Sequence, residues 1–272
     1  MRFVIAPARV AQDGAAHDVR RRPLSIAASW LGRVGYRDAW DLQRRLAAAR
    51  AEDRIPDQLL LLEHPAVLTL GRHADESHVL ATPAELERRG IDVVRVERGG
   101  EVTYHGPGQL VAYPILSLTA RGLLIRPFVR ALEAAMRDTC AAFGVEADRR
   151  DGHPGCWCDG ETASPRKIGA LGIRVERGVT FHGIALNVAT DLADFELIDP
   201  CGMPGIASTS LVAEGSRSAD LPATEAVLAA ATVFAAKLAA QLGAPAAMPR
   251  GVPPDDPAAA RRELERLAAM AG

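Results

Sequence analysis

Lysine is almost missing from this 272-residue chain. Thirty of its 32 basic residues are arginine, and only Lys167 and Lys237 are not. An arginine supplies a plain positive charge as well as a lysine does. A guanidinium keeps its proton at any ordinary pH, however, whereas an ammonium in suitable surroundings gives it up. Two readings of Lys167 therefore stand: drift against an arginine-rich background, or a position whose chemistry needs a proton to move. Aromatic residues are scarce as well, at 4%, while hydrophobic residues of all kinds reach 48%, much of it alanine. That balance excludes a core built on large rings and predicts numerous, lightly packed helices. Nor is there an excess of charge. The 32 basic and 34 acidic side chains give −2, which argues against a nucleic-acid binder, whose contact face is strongly basic.

Long apolar runs are lacking too. The longest, residues 226–236, stops at Lys237, short of the ~18 residues of a membrane span. Pro7 and Asp13 fall where the apolar core of a secretory signal would lie. The four cysteines, Cys140, Cys156, Cys158 and Cys201, read without such a signal as reduced thiols of a cytoplasmic protein.

What is present divides into a working domain, residues 29–243, between an N-terminal extension, 1–28, and an Ala/Pro-rich tail, 244–272, with a short charged helix around "RRELERL". Tyr36, Ala39, Trp40, Gln43, Leu46 and Ala47 recur at helical steps. "QLLLLEHPAVLTLG" reads as two strands broken at His64 and Pro65. In "TPAELERRG", Thr82 is the N-cap, Pro83 the first helical residue, Glu85 the partner of a capping box and Gly90 the stop. "IDVVRVE" and "EVTYHGPGQLVAYPILSL" are extended. In "RPFVRALEAAMRDTCAAFG", Phe128, Leu132, Met136 and Cys140 share one stripe, which makes Cys140 a small core hydrophobe. "KIGALGIRV" and "VTFHGIALNV" form a hairpin, and a last long helix runs from about 223 to 242. Strands interleaved with a few helices and joined by tight turns predict a mixed, largely antiparallel sheet flanked by helices.

Three stretches carry possible chemistry. "RGGEVTYHGPGQLVAYP" (98–114) combines glycines with Arg98, Thr103, Tyr104, His105 and Gln109, which is either a binding wall that a ligand approaches closely or a Gly-rich hairpin with a satisfied histidine. It lacks the Gly-Lys-Ser/Thr ending of a phosphate loop. "IDPCGMPG" (198–205) places Cys201 in a turn-forming loop, where a thiol is accessible. A nearby cation such as Lys167 would favour the thiolate and make it a nucleophile. "HPGCWCDG" (153–160) offers His153, Cys156 and Cys158, but no second thiol pair completes a zinc site. Alternation along a strand instead puts Trp157 on one face and both thiols on the other.

Taken in series, "EHPAVLTLG", "RGGEVTYHGPGQLVAYP", "KIGALGIRV", "RGVTFHGIALNV" and "DPCG" resemble the lipoyl(octanoyl) transferases of lipoate biosynthesis, over about residues 34–211. The resemblance implies a fold similar to the catalytic domain of biotin and lipoate protein ligases. It also implies a cytoplasmic, monomeric acyltransferase that needs no metal or nucleotide. Such an enzyme carries an octanoyl group from octanoyl-acyl carrier protein to a lysine of apo lipoyl domains, in 2-oxoacid dehydrogenase complexes or the glycine cleavage protein, through a cysteine thioester.

Carried over, Cys201 would be acylated and Lys167 would favour its thiolate and handle protons. Arg98, Gly99, Gly100, Glu101, Val102, Thr103, Tyr104, His105, Ala170, Leu171, Gly172, Gly183, Ile184 and Ala185 would line the acyl and substrate site. Two rival functions are an ATP-dependent lipoate ligase, which would not need Cys201, and a non-catalytic module that only holds lipoyl domains. This chain departs from the family's pattern in its two extensions and in Cys156 and Cys158, which flank Trp157 in a strand the family fills with apolar residues.

Overall fold

The computed structural model describes residues 24–199, 205–245, 248–251, 253 and 256–272. The first elements are β1 (Ile26–Arg33), α1 (Tyr36–Ala51) and β2 (Asp57–Glu63). Every residue of β2 is buried, as an apolar run without polar alternation requires of a strand covered on both faces. A three-stranded sheet follows, from β3 (Val67–Leu70), helix α2 (Pro83–Arg89), β4 (Asp92–Arg95) and β5 (Val102–His105), in the order β4-β3-β5. The expected break at His64 and Pro65 thus separates two sheets as well as two strands. At α2, Thr82 Oγ1 accepts from Glu85 N and Gly90 takes the left-handed conformation. The Glu85 carboxylate accepts from Arg89, four residues on, and so is engaged along the helix instead of closing a capping box.

The chain returns to the main sheet with β6 (Gln109–Ile115), then passes through helices α3 (Leu118–Arg121) and α4 (Ile125–Ala142). Strands β7 (Asp148–Arg150), β8 (His153–Cys158), β9 (Arg166–Glu176) and β10 (Val179–Asn187) follow. The β9–β10 hairpin closes at Arg177 and Gly178, both with positive φ (49° and 77°), the pairing that matches the twist of adjacent strands. Short β11 (Ala207–Ser208), α5 (Ala223–Gln241), β12 (Arg250–Gly251) and α6 (Pro257–Ala271) complete the elements.

Among the described residues the main sheet runs β12-β1-β2-β6-β10-β9-β8-β7, with β11 beside β9. Pairings from β2 to β7 are antiparallel, whereas β1 is parallel to both β2 and β12. Alternation sorts the side chains of β2 into two cores. Leu59 and Leu61 pack with Phe128, Met136, Cys140 and Phe234 of α4 and α5, while Leu60 and Leu62 pack with Leu42 and Leu46 of α1 and Leu267 of α6. Helix α5 is long and apolar enough to cross a membrane, but its stripe of Val227, Ala231, Phe234 and Leu238 is buried in the first of these cores.

The segment read from sequence as a tail lies along the domain. Arg250 and Gly251 pair with Ser29 and Trp30, and α6 buries Leu267 and Ala271 against the α1 side of the sheet. Likewise β1 begins at Ile26, within the expected N-terminal extension.

Candidate active site

Lys167 stands on β9, 6% exposed. Its backbone pairs with Ser208 of β11 on one side and Trp157 of β8 on the other. Its Nζ donates to Pro154 O (3.3 Å) and lies 4.9 Å from the centre of the Trp157 ring. Lys167, Thr103, Gln109, Ala170, Ala185, Asn187 and Ser208 line a small cavity that shares Thr103, Ala170 and Ala185 with a second, longer cleft. That cleft runs between the wall at residues 98–105 and the β9–β10 sheet.

Of the residues expected to bind substrate, Arg98, Gly100, Glu101, Val102, Thr103, His105, Ala170, Leu171, Gly172, Gly183, Ile184 and Ala185 line the cleft. Tyr104 points the other way: strand alternation sends its ring into the core of the small sheet beside Phe195, and its hydroxyl donates to Asp194 (2.7 Å). Gly99 serves through its backbone, its N–H donating to Ile173 O (3.1 Å).

The glycines of the sheet meet protein, not open space. A Cβ at Gly172 would stand 2.6 Å from Gly99 O, and one at Gly183 would stand 2.0 Å from Ala112 O. Gly172 lets the wall backbone at Gly99 come down onto β9, and Gly183 lets the neighbouring strand β6 approach β10 closely at Ala112. The wider hollow on the surface, about 610 Å³ against about 50 Å³ for the cleft, is lined by Arg121, Arg130, Arg137 and residues near them and holds none of the predicted site residues.

A chain of amides fixes one end of this site. Asn187 Nδ2 donates to Thr209 O, so Asn187 Oδ1 is left to accept from Gln109 Nε2 (2.9 Å), which also donates to Tyr104 O. Gln109 Oε1 must then accept from His105 Nδ1–H (2.8 Å), which leaves Nε2 as the acceptor of that ring. Burial pulls the His105 imidazole well below its usual range, so it is neutral.

Behind it, His64 donates from Nδ1 to Val34 O (2.6 Å) and accepts at Nε2 from Tyr113 (2.7 Å). Burial holds His64 at about 4. Tyr36 stacks on His105 with ring centres 5.9 Å apart, and burial pushes its phenol up to about 12. Sequence reasoning did not select Tyr36, Tyr113 or His182 as cleft residues. His182 stands between Phe181 and Gly183 with φ 57°, a left-handed conformation that the folded chain alone reveals.

The thiols divide as well. Cys140 and Cys156 are buried in the main core, where the Cys140 thiol and burial together raise Cys156 well above the ordinary thiol range. Burial lifts Cys158 to about 12. Both flanking thiols are thereby held protonated and away from the face that carries Trp157. Cys201 lies outside the described residues.

A buried lysine and a narrow cleft beneath a glycine-rich wall, on a largely antiparallel sheet, are set within a chain that matches the lipoyl protein ligase A/B catalytic domain over residues 35–232. The chain belongs to that family. Its sequence relatives are octanoyltransferases: one from Acidobacterium capsulatum is 50% identical over 192 residues, covering 68% of this chain and 78% of the relative. Another, from Mycolicibacterium gilvum, is 46% identical and covers 76% and 83%. Within the family the chain is thus an acyltransferase of the octanoyltransferase group. A lipoate-protein ligase A bound with ATP shares the fold at a TM-score of 0.60 and 15% identity, covering 89% of this chain and 94% of the other. A bipartite lipoate protein ligase from Thermoplasma acidophilum does so at 0.55 and 14%, covering 89% and 93%.

Proposed function

We propose that this octanoyltransferase works in two half-reactions through a thioester on Cys201, with Lys167 carrying the proton between them. Lys167 takes the thiol proton, and the Cys201 thiolate attacks the carbonyl of octanoyl-acyl carrier protein. The carbon–sulfur bond to the carrier breaks, and the Lys167 ammonium returns the proton to the departing thiolate. The neutral amine then accepts a proton from the lysine of an apo lipoyl domain as that lysine attacks the enzyme thioester. An amide forms, and the released Cys201 thiolate takes the proton back. Backbone N–H groups of the glycine-rich wall serve the oxyanion.

The observation that carries this reading is the placement of Lys167. It is buried at the small cavity, which joins the long cleft at Thr103, Ala170 and Ala185, and the chain that leaves the described residues at Asp199 re-enters at Gly205 and runs beside Lys167 by Ser208. Asp199 is itself anchored to His78 O. A thin acyl chain that widens the cleft beyond its present volume of about 50 Å³ would bury about six methylenes at roughly 0.8 kcal/mol each, several kcal/mol in all. The thioester already carries the activation, so neither ATP nor a metal enters the balance. The proposed setting is a cytoplasmic monomer acting on lipoyl domains of 2-oxoacid dehydrogenase complexes or the glycine cleavage protein, its catalytic domain extended beyond residues 29–243 by the start of β1 and by the packed β12 and α6.

Intact mass after incubation with octanoyl-acyl carrier protein tests the first half-reaction. An octanoyl adduct mapped to Cys201 is expected. A label on Cys156 or Cys158, or transfer that requires ATP, would overturn the assignment.

A further inference from the structure

The stretch "HPGCW" has no part in the reaction as written, yet three of its five residues touch the catalytic lysine. Pro154 O accepts from Lys167 Nζ at 3.3 Å. Gly155, at φ 139°, leaves the space through which the stem passes, since a Cβ there would stand 2.9 Å from Lys167 Cε and 2.5 Å from Gly169 O. Trp157 puts its ring centre 4.9 Å from the ammonium. The ring is itself fixed, 1% exposed, with Nε1 donating to His153 O at 3.0 Å.

A register shift produces this arrangement. Cys156 pairs with Gly169 but Trp157 pairs with Lys167, so Ile168 is an extra residue on β9. Without that bulge Trp157 would oppose Ile168, and the lysine would be displaced from the ring; bulges re-aim side chains in this way beside active sites. On the far strand, Arg150 of β7 brings its guanidinium to 5.4 Å from the same ring.

We propose that Trp157 is the positioning residue of Lys167: its indole face, with the Pro154 carbonyl and the gap at Gly155, holds the ammonium on a flexible four-carbon stem at the point where protons are exchanged. This rests on the reading of Lys167 as proton carrier. A cation over the face of tryptophan is attracted by the ring quadrupole, and fluorine on the ring weakens that attraction while leaving its shape nearly unchanged.

The test replaces Trp157 in the full chain with tryptophans of increasing fluorination, beside Trp157→Phe and Trp157→Leu. It measures single-turnover transfer from the octanoyl-enzyme to an apo lipoyl domain. Transfer should slow stepwise with fluorination, by about 2- to 30-fold in total, with Phe retaining more than Leu and the acceptor KM unchanged. Because the chain has only two lysines, ¹³C-lysine NMR supplies a readout independent of activity. The Lys167 Cε–H signal should be displaced by the ring current relative to Lys237 and should move towards it in Trp157→Leu.

A flat fluorination series, or a Lys167 signal without ring displacement, overturns the proposal. Should Trp157→Leu fail to fold, the fluorinated series still decides. Lys167→Met keeps the two failures apart. Full transfer in that variant sinks the proton-carrier role while the NMR still reports the cradle. Lost transfer combined with a flat fluorination series sinks the cradle alone.

Discussion

Lys167→Arg separates charge from proton transfer at a single position. The ammonium touches a carbonyl oxygen at 3.3 Å and an indole face at 4.9 Å, and a guanidinium donates to a carbonyl and stacks on an indole equally well. The field at the nucleophile is therefore kept, and the larger head group costs about 1–3 kcal/mol of local repacking at this buried site. What arginine cannot do is accept a proton from the attacking amine. Loss of a general base is worth about 10²- to 10⁴-fold, or roughly 3–5 kcal/mol of barrier, and it falls on the second half-reaction, because a guanidinium still holds Cys201 as its thiolate, the thiol proton goes to solvent, and the carrier departs as a stable thiolate. Rapid-quench intact mass should show the octanoyl-enzyme forming at a rate near that of the unchanged protein and then persisting. Lys167→Met, which removes the charge as well, should slow both steps and reduce alkylation of Cys201 by iodoacetamide at neutral pH. Equal transfer rates in Lys167→Arg and the unchanged enzyme would refute the reasoning, leaving Lys167 as an electrostatic partner alone.

His105→Ala should slow turnover while leaving the Cys201 adduct detectable by mass; an enzyme that never acylates would make His105 the base for the thiol. His64 is held neutral at about 4 by burial, below its ordinary unfolded value of about 6.5. Its contribution is thus complete above pH ~6.5 and lost as pH falls towards 4, on the order of 3 kcal/mol. Thermal melts across that window should show the decline, and His64→Gln should flatten it. Leu267→Ala, which empties a fully buried site between α6 and α1, should lower stability by about 2–5 kcal/mol in urea titration; a change below about 0.5 kcal/mol would mean that α6 is not docked.

Much of this architecture was readable because it is local. An unbroken apolar run marks β2, two extended runs about a Gly turn mark the β9–β10 hairpin, period-3.6 stripes mark α1 and α4, and Gly90 closes α2. Pairings over long separation carry no such pattern. Nothing in "PRG" announces that Gly251 will lie against Trp30, so the last segment reads as a tail. The site follows the same division. The motifs name Lys167, His105 and the wall, but the direction of Tyr104 depends on which face of a small sheet is covered by Phe195. The glycines of "ALG" and "FHG" line the cleft as the motifs suggest, but that they also admit the backbone of Gly99 and Ala112, from segments far apart in sequence, is seen only in the folded chain. The role of Trp157 turns on a single extra residue in the register, which only the paired strands reveal.

The short strand at Arg250 and Gly251 also sets a problem of timing. It caps the outer edge of β1, whose partners on the other side have left the ribosome nearly two hundred residues earlier. An uncapped strand edge with a buried Trp30 beside it is a template for pairing with other chains. During synthesis, then, the nascent domain presents that edge while everything else in the sheet is already available to fold. The vulnerable interval ends only once Arg250 and Gly251 have been made, which gives this short strand a part in guarding against aggregation as well as in the folded sheet.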